Sequence, residues 1–248
     1  MKKTALAIAT FAALSGSAIA ADLPRKGPAV APAPLPVATW SGCYLTGGVG
    51  YGMWNQDNHR VAPGAIEFEH TDGGRGWLGR VGGGCDYQLA QKWVIGVLAD
   101  YDFANLKGDM TIPSLNQTGE EKNNWSWAVG GRVGYLPWDT LLVFVSGGYT
   151  QANFKGVNFV TAAGVPIVPA LSIDENRYTG WFLGSGYEYR FDWLPGLYWK
   201  TEYRFSSFSS KDNQLLQGGI PVAGEFVHSE KFIQTVTSSL VWRFNWWR

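Results

Sequence analysis

A two-residue alternation, repeated along the chain, is the feature that most constrains its fold. In "GGRVGYLPWDTLLVFVSGGYT", residues 130–150, the run is apolar apart from Arg132 and a Pro-Trp-Asp interruption. Sorted by parity, Val129, Val133 and Tyr135 fall on one side and Gly130, Arg132 and Gly134 on the other. Successive strand side chains point to opposite faces, so this pattern describes a strand with one apolar face and one small or charged face.

Eight segments between Trp40 and Phe244, the two halves of this run among them, behave the same way, and none carries a useful helical period. "WSGCYLTGGVGYGMW" sets Leu45, Val49, Tyr51 and Met53 against Gly48, Gly50 and Gly52. "RGWLGRVGGGCDYQ" opposes Trp77, Val81 and Tyr87 to Arg80, Asp86 and Gln88. "WVIGVLADYDF" opposes Trp93, Ile95, Val97, Tyr101 and Phe103 to Asp100 and Asp102. "WSWAVGGRVGY" and "LLVFVSGGYTQA" flank the interruption at residues 136–140. "RYTGWFLGSGYEYRF", "LYWKTEYRF" and "KFIQTVTSSLVWRF" complete the set.

The connections alternate in length. "LAQK", "LPWDT" and "DWLPG" are short, whereas the other links are polar stretches of about twenty residues, longer than ordinary loops. An even number of strands, short turns at one end and apolar-out, polar-in alternation predict an all-β chain. It is expected to be an eight-stranded antiparallel transmembrane β-barrel of outer-membrane type, with short periplasmic turns and long extracellular loops. In hydrocarbon every backbone group must pair internally, and a closed sheet has no exposed edge. The 13 tryptophans suit such a chain, because Trp and Tyr favour sites with one apolar and one wet end.

The N-terminus reads as an export signal. Lys2 and Lys3, the apolar run Ala5–Leu14 and Ala18-Ile19-Ala20 form the three parts of a signal peptide over residues 1–20, cleaved near Ala20. Residues 21–39 are proline-rich and predict an extended periplasmic linker. Residues 40–248 form the barrel. The mature chain is thus expected in the outer membrane of a Gram-negative cell. There it would meet outer-membrane lipid and lipopolysaccharide, the barrel-assembly machinery during biogenesis, and host or surface ligands. The 20 basic and 20 acidic residues balance, which argues against a nucleic-acid partner.

The inward positions predict a charge network in the lumen: Arg80, Arg132, Arg190, Lys200, Arg204 and Arg243 against Asp86, Asp100, Asp102, Glu188 and Glu202. Eight strands enclose an interior just wide enough for side chains to fill, so paired charges are expected there rather than an aqueous pore. A small-solute, porin-like channel is the alternative. No catalytic constellation is expected: His59, His70 and His228 fall in the predicted loops, with no base beside Ser185 or Ser239. Because the first and last strands become neighbours on closure, the three histidines also offer a speculative ligand site for haem. Otherwise no cofactor and no metal is expected, since fixed ligand spacing is lacking.

Cys43 and Cys85 are the only cysteines. Their midpoint is residue 64, the centre of the first long connection, and both have outward parity. Antiparallel pairing therefore places them nearly opposite near the periplasmic rim. A disulfide between them is expected in an oxidising periplasm.

The segments "WSGCYLTGGVGYGMWNQD", "GGCDYQ", "WVIGVLADYDFANLKG" and "WAVGGRVGYL", with the "ADLPRK" start, resemble the alphaproteobacterial outer-membrane surface-antigen (immunogenic) proteins. That family is similar in form to the opacity proteins and the OmpA membrane domain. The resemblance implies an eight-stranded barrel with roles in envelope integrity and surface contact. It further implies haemin binding in some relatives and no catalytic residues. One departure stands out: the terminal aromatic read by the assembly machinery would be Phe244, yet "NWWR" follows, which leaves the end of the eighth strand open at Phe244 or Trp247.

Overall fold

A computed structural model of the chain describes residues 40–62, 65–89 and 91–244. The expected signal peptide and linker and the final "NWWR" fall outside the described residues. Eleven strands follow one another: β1 (Gly42–Ala62), β2 (Ala65–Leu89), β3 (Trp93–Ile112), β4 (Gln117–Trp138), β5 (Leu141–Phe154), β6 (Val157–Asn158), β7 (Val160–Thr161), β8 (Leu171–Ile173), β9 (Asn176–Arg190), β10 (Leu197–Gln217) and β11 (Ile220–Phe244). Eight of them close a ring in the order β11-β1-β2-β3-β4-β5-β9-β10, with β10 pairing back onto β11. Every pairing in the ring is antiparallel.

The partition of side chains is the reverse of a water-soluble protein. Trp77 is 68% exposed, whereas Arg80, three residues on, is 1% exposed. Leu45, Val49, Val97, Phe103, Val133, Val145, Leu183 and Leu240 all project outward, while Arg132, Glu188, Lys200, Glu202 and Arg243 are buried. An outward apolar band around a polar interior is what a bilayer demands of a barrel.

Strand length departs from the sequence reading. A tilted strand of about 9–11 residues crosses a bilayer, yet β1 has 21 residues and β2 and β11 have 25 each. Most of the stretches expected as long loops are continuations of the ladder. β10 and β11 are joined by Gly218 and Gly219 alone, both at positive φ, as a two-residue hairpin requires. β3 and β4 meet through a single 3₁₀ turn, Pro113–Leu115, closed by Asn116 in the left-handed region. The physical reason is that inward alternation persists in these segments: Trp54, Gln56 and Asn58 on β1, and Val227, Ser229 and Lys231 on β11, are all buried. Only the outward partners become polar, and that polarity mimics a loop.

The link between β5 and β9 is the exception. It carries β6, β7 and β8, which add onto β10 and β4 at the far end of the barrel. Their residues Val157, Phe159, Leu171 and Ile173 pack with Met110, Ile112, Leu215 and Val227 as an apolar cap. The eighth barrel strand, β11, reaches Phe244, where it pairs with Cys43.

Candidate functional site: the filled lumen

At the short-turn end, four charged groups form a closed square. Arg132 donates Nε and Nη2 to Asp86 at 2.9 and 2.5 Å, and Nη1 to Glu188 at 2.8 Å. Arg243 donates to Asp86 at 2.6 Å and also to Glu188. Two guanidiniums and two carboxylates cancel, and the planar donor fork matches the carboxylate pair by pair. The residues come from four different strands, β2, β4, β9 and β11, because each strand supplies one inward position at this height. Gly96 leaves the space that Asp86 needs: a Cβ there would collide with the carboxylate. Aromatic faces complete the surroundings, with Arg132 4.5 Å from the Tyr44 ring and Arg243 5.0 Å from that of Trp40.

Six more charges sit further in. Arg80 makes a bidentate pair with Asp102 at 2.6 and 2.8 Å. Arg204 makes another with Asp100 at 2.8 and 2.7 Å and also donates to Glu202 at 2.8 Å. Lys200 donates to Glu202 at 3.1 Å. This second network again balances three cations against three anions. A buried ion deprived of its partner costs several kcal/mol, on the order of 3–5, so neutrality within each network is a condition of folding.

A third site lies towards the far end. The Lys231 ammonium donates to Glu121 at 2.7 Å and to Gln56. It sits 4.3, 5.0 and 5.5 Å from the ring centres of Phe154, Tyr178 and Trp54. A cation among three ring faces is stabilised by their quadrupoles. The sequence reading missed this box, although the parity that places Thr235 and Thr237 inside also places Lys231 inside.

Apolar layers alternate with these charges. Along β3 from the short turn outward the inward residues run Val94, Leu98, Asp100, Asp102, Leu106, Met110 and Ile112. Val94 belongs to a plug with Trp40, Leu136, Leu142, Tyr198 and Val241 at the short-turn end. Leu106 packs with Leu78, Phe208 and Ile233 around the Lys231 box. The void beside Arg80, Asp102 and Arg204 measures about 10 Å³, room for one water at most.

Of the expected lumen charges, Arg190 alone takes no part in the networks. It has inward parity but lies at the last position of β9, where it donates to Asp192 of the adjoining turn at 3.4 Å. A strand end has no neighbour above it to hold the side chain inside. The three histidines are also on strands rather than in loops. His59 of β1 and His228 of β11 are directly opposed, their rings 4.6 Å apart on the outer face. His70 of β2 is paired in register with Asn58 and hydrogen bonded to Asp72 at 2.9 Å. His59 and His228 thus meet directly, and His70 lines the same surface depression with them. Among the described residues no group of three or more His, Cys, Asp or Glu side chains is arranged to hold a metal ion. Cys43 and Cys85 are directly opposed across β1 and β2 and joined by a disulfide on the outward side of the short-turn rim.

A family model described as the outer membrane protein beta-barrel domain matches residues 6–228. The 31 kDa outer-membrane immunogenic proteins of Brucella melitensis biotype 1 and Brucella suis biovar 1 are each 27% identical over 254 residues. Those alignments cover 96% of this chain and 98% of the relative. Among solved structures, that of the outer membrane protein OprG from Pseudomonas aeruginosa superposes with a TM-score of 0.51 at 9% identity. It covers 82% of this chain and 97% of the other, a likeness of fold alone.

Proposed function

The chain belongs to the outer membrane protein beta-barrel domain family, and from that premise we propose that it is a closed, non-catalytic barrel of the outer membrane. In this reading it supports the envelope and presents an extended β-structured surface to the exterior. One observation carries the proposal: the lumen is occupied by self-neutral ion-pair networks between packed apolar layers. Moving an ion through such an interior would require breaking bidentate pairs beside which the void has room for one water at most. The strand continuations beyond the apolar band support the surface role, since they offer a large ordered face outside the bilayer. Likeness to proteins named as immunogenic agrees with that role.

The lumen residues support the non-catalytic reading. Every buried carboxylate in the two lower networks is committed to a cation, which leaves no poised acid or base in that part of the lumen. A liposome-swelling assay with small sugars tests the closed barrel, and antibody labelling of a tag inserted between Gly218 and Gly219 on intact cells tests the exposure. No swelling together with surface labelling is expected. Rapid swelling would overturn the closed barrel, and a tag reached only after permeabilisation would overturn the surface role.

A further inference from the structure

We infer that Arg75, Lys107 and Lys122 form an external site for the phosphate of an outer-leaflet lipid headgroup. The inference rests on placement in the outer membrane and stands whether or not the lumen conducts. Arg75 on β2 is directly opposed to Lys107 on β3, and Lys107 is directly opposed to Lys122 on β4. All three have outward parity, Lys122 being flanked by buried Glu121 and Asn123. Like charges facing each other across a sheet are destabilising unless something of opposite sign lies between them.

The fold offers little such compensation. Arg75 and Lys122 have no ion-pair partner among the described residues. Lys107 pairs with Glu120 at 2.9 Å, but those side chains are 48% and 59% exposed, so the pair is a weak surface contact that a phosphate can replace. The order of charges along the strands matters more. Arg75 takes the next outward position after Trp77, while Lys107 and Lys122 stand one step further from the opposed pair Phe103 and Trp125, with the polar Asn105 and Asn124 between. The acids Asp109 and Glu120, also directly opposed, take the next outward positions on the water side. Aromatic, then cation, then acid is the sequence of environments met when leaving a bilayer through its phosphate layer. A headgroup phosphate fits between the aromatic and acidic rows, accepting charge-assisted hydrogen bonds from the guanidinium and the amines.

The surface is also shaped there. A trough of about 520 Å³ lies over β1, β2 and β3, lined by Met53, Arg75, Lys107 and Gly73 and also by the acids Asp72 and Asp109. Gly73 shares the outward parity of Arg75, and a Cβ there would stand 3.2 Å from the Trp54 carbonyl, so the trough has no side chain at this point. An apolar margin at Met53 beside a cationic one suits a ligand with an acyl chain and a phosphate, which free phosphate is not.

The test uses the full-length protein folded in detergent micelles. It is titrated with bis-phosphorylated lipid A, with the same lipid stripped of phosphate, and with inorganic phosphate, binding being read by thermophoresis. The wild type is expected to bind the phosphorylated lipid, and Arg75→Gln/Lys107→Gln to weaken that binding by about tenfold or more. Lys211→Gln, which removes an exposed cation on β10, should leave it unchanged. Folding of each variant is read from its mobility on unboiled gels. The single variants Arg75→Gln and Lys122→Gln, each expected to lose about threefold, serve if the double variant is not folded. Unchanged affinity in the folded variants, or equal binding of the phosphate-free lipid, would overturn the site. Binding of inorganic phosphate as tight as that of the lipid would overturn the assignment to a headgroup.

Discussion

Near the short-turn end the lumen is held by ten charged side chains in two networks, Asp86, Arg132, Glu188 and Arg243 in one and Arg80, Asp100, Asp102, Lys200, Glu202 and Arg204 in the other. Towards the far end a single amine, Lys231, is held by one carboxylate, one amide and three aromatic rings. Both regions bury cations, but with different tolerance for loss. Four of the five lower cations are arginines, which cannot shed a proton to escape an uncompensated site. A lysine amine can, and its apolar box then becomes an acceptable home for the neutral form. The lower lumen is therefore rigidly specified, and the upper one is forgiving.

Breaking a lower network should have the largest effect. Glu188→Gln leaves Arg132 and Arg243 sharing Asp86 alone, and a loss of about 3–5 kcal/mol is expected. It would appear as a marked drop in the thermal midpoint of the folded barrel in micelles. Glu202→Gln should behave alike, since it faces Lys200, Arg204 and Arg80. An unchanged midpoint in either variant would mean that these groups are hydrated rather than packed.

A charge placed on the opposite face comes next. Val133→Arg puts a cation on the lipid side, at a cost on the order of 2–4 kcal/mol near the bilayer midplane. Folding yield into lipid vesicles should fall, and a yield equal to wild type would refute the facing. Gly130 on the inner face is no gentler place for a side chain, because a Cβ there would strike the Gly147 carbonyl.

Glu121→Gln should cost least, about 1–3 kcal/mol, because Lys231 can become neutral. Its penalty has a pH signature. A lysine charged in the unfolded chain and neutral in the folded one makes stability rise with pH up to the ordinary lysine range near about 10.4. The midpoint of Glu121→Gln should thus rise with pH on the alkaline side up to that range, whereas that of Glu188→Gln should not gain in this way. Parallel pH profiles for the two variants would dissolve the distinction between the regions.

The same contrast explains what was legible in the sequence. In the lower lumen the outward partners are Val, Trp, Tyr and Leu, so parity separates the faces cleanly and assigns Arg80, Arg132, Glu202 and Arg243 correctly. Further out the partners of Trp54, Gln56 and Asn58 are Asn55, Asp57 and His59. With both faces partly polar, the alternation survives but its contrast fades, and the segment resembles a loop. Gly218-Gly219 is a hairpin signal in its own right and marks where β10 turns into β11. The Lys231 box was not legible, because Phe154, Tyr178 and Trp54 come together only through the closed register of β1, β5, β9 and β11. Arg190 shows the converse limit: parity assigns a face but not whether the strand continues far enough to enclose the side chain.

A filled, closed interior should carry no current. Wild-type protein inserted into planar lipid bilayers, with single-channel currents recorded under an applied voltage, is the decisive measurement. A silent bilayer is expected, with insertion confirmed by the folded mobility of recovered protein. Stable, stepwise openings from that same folded protein would contradict it.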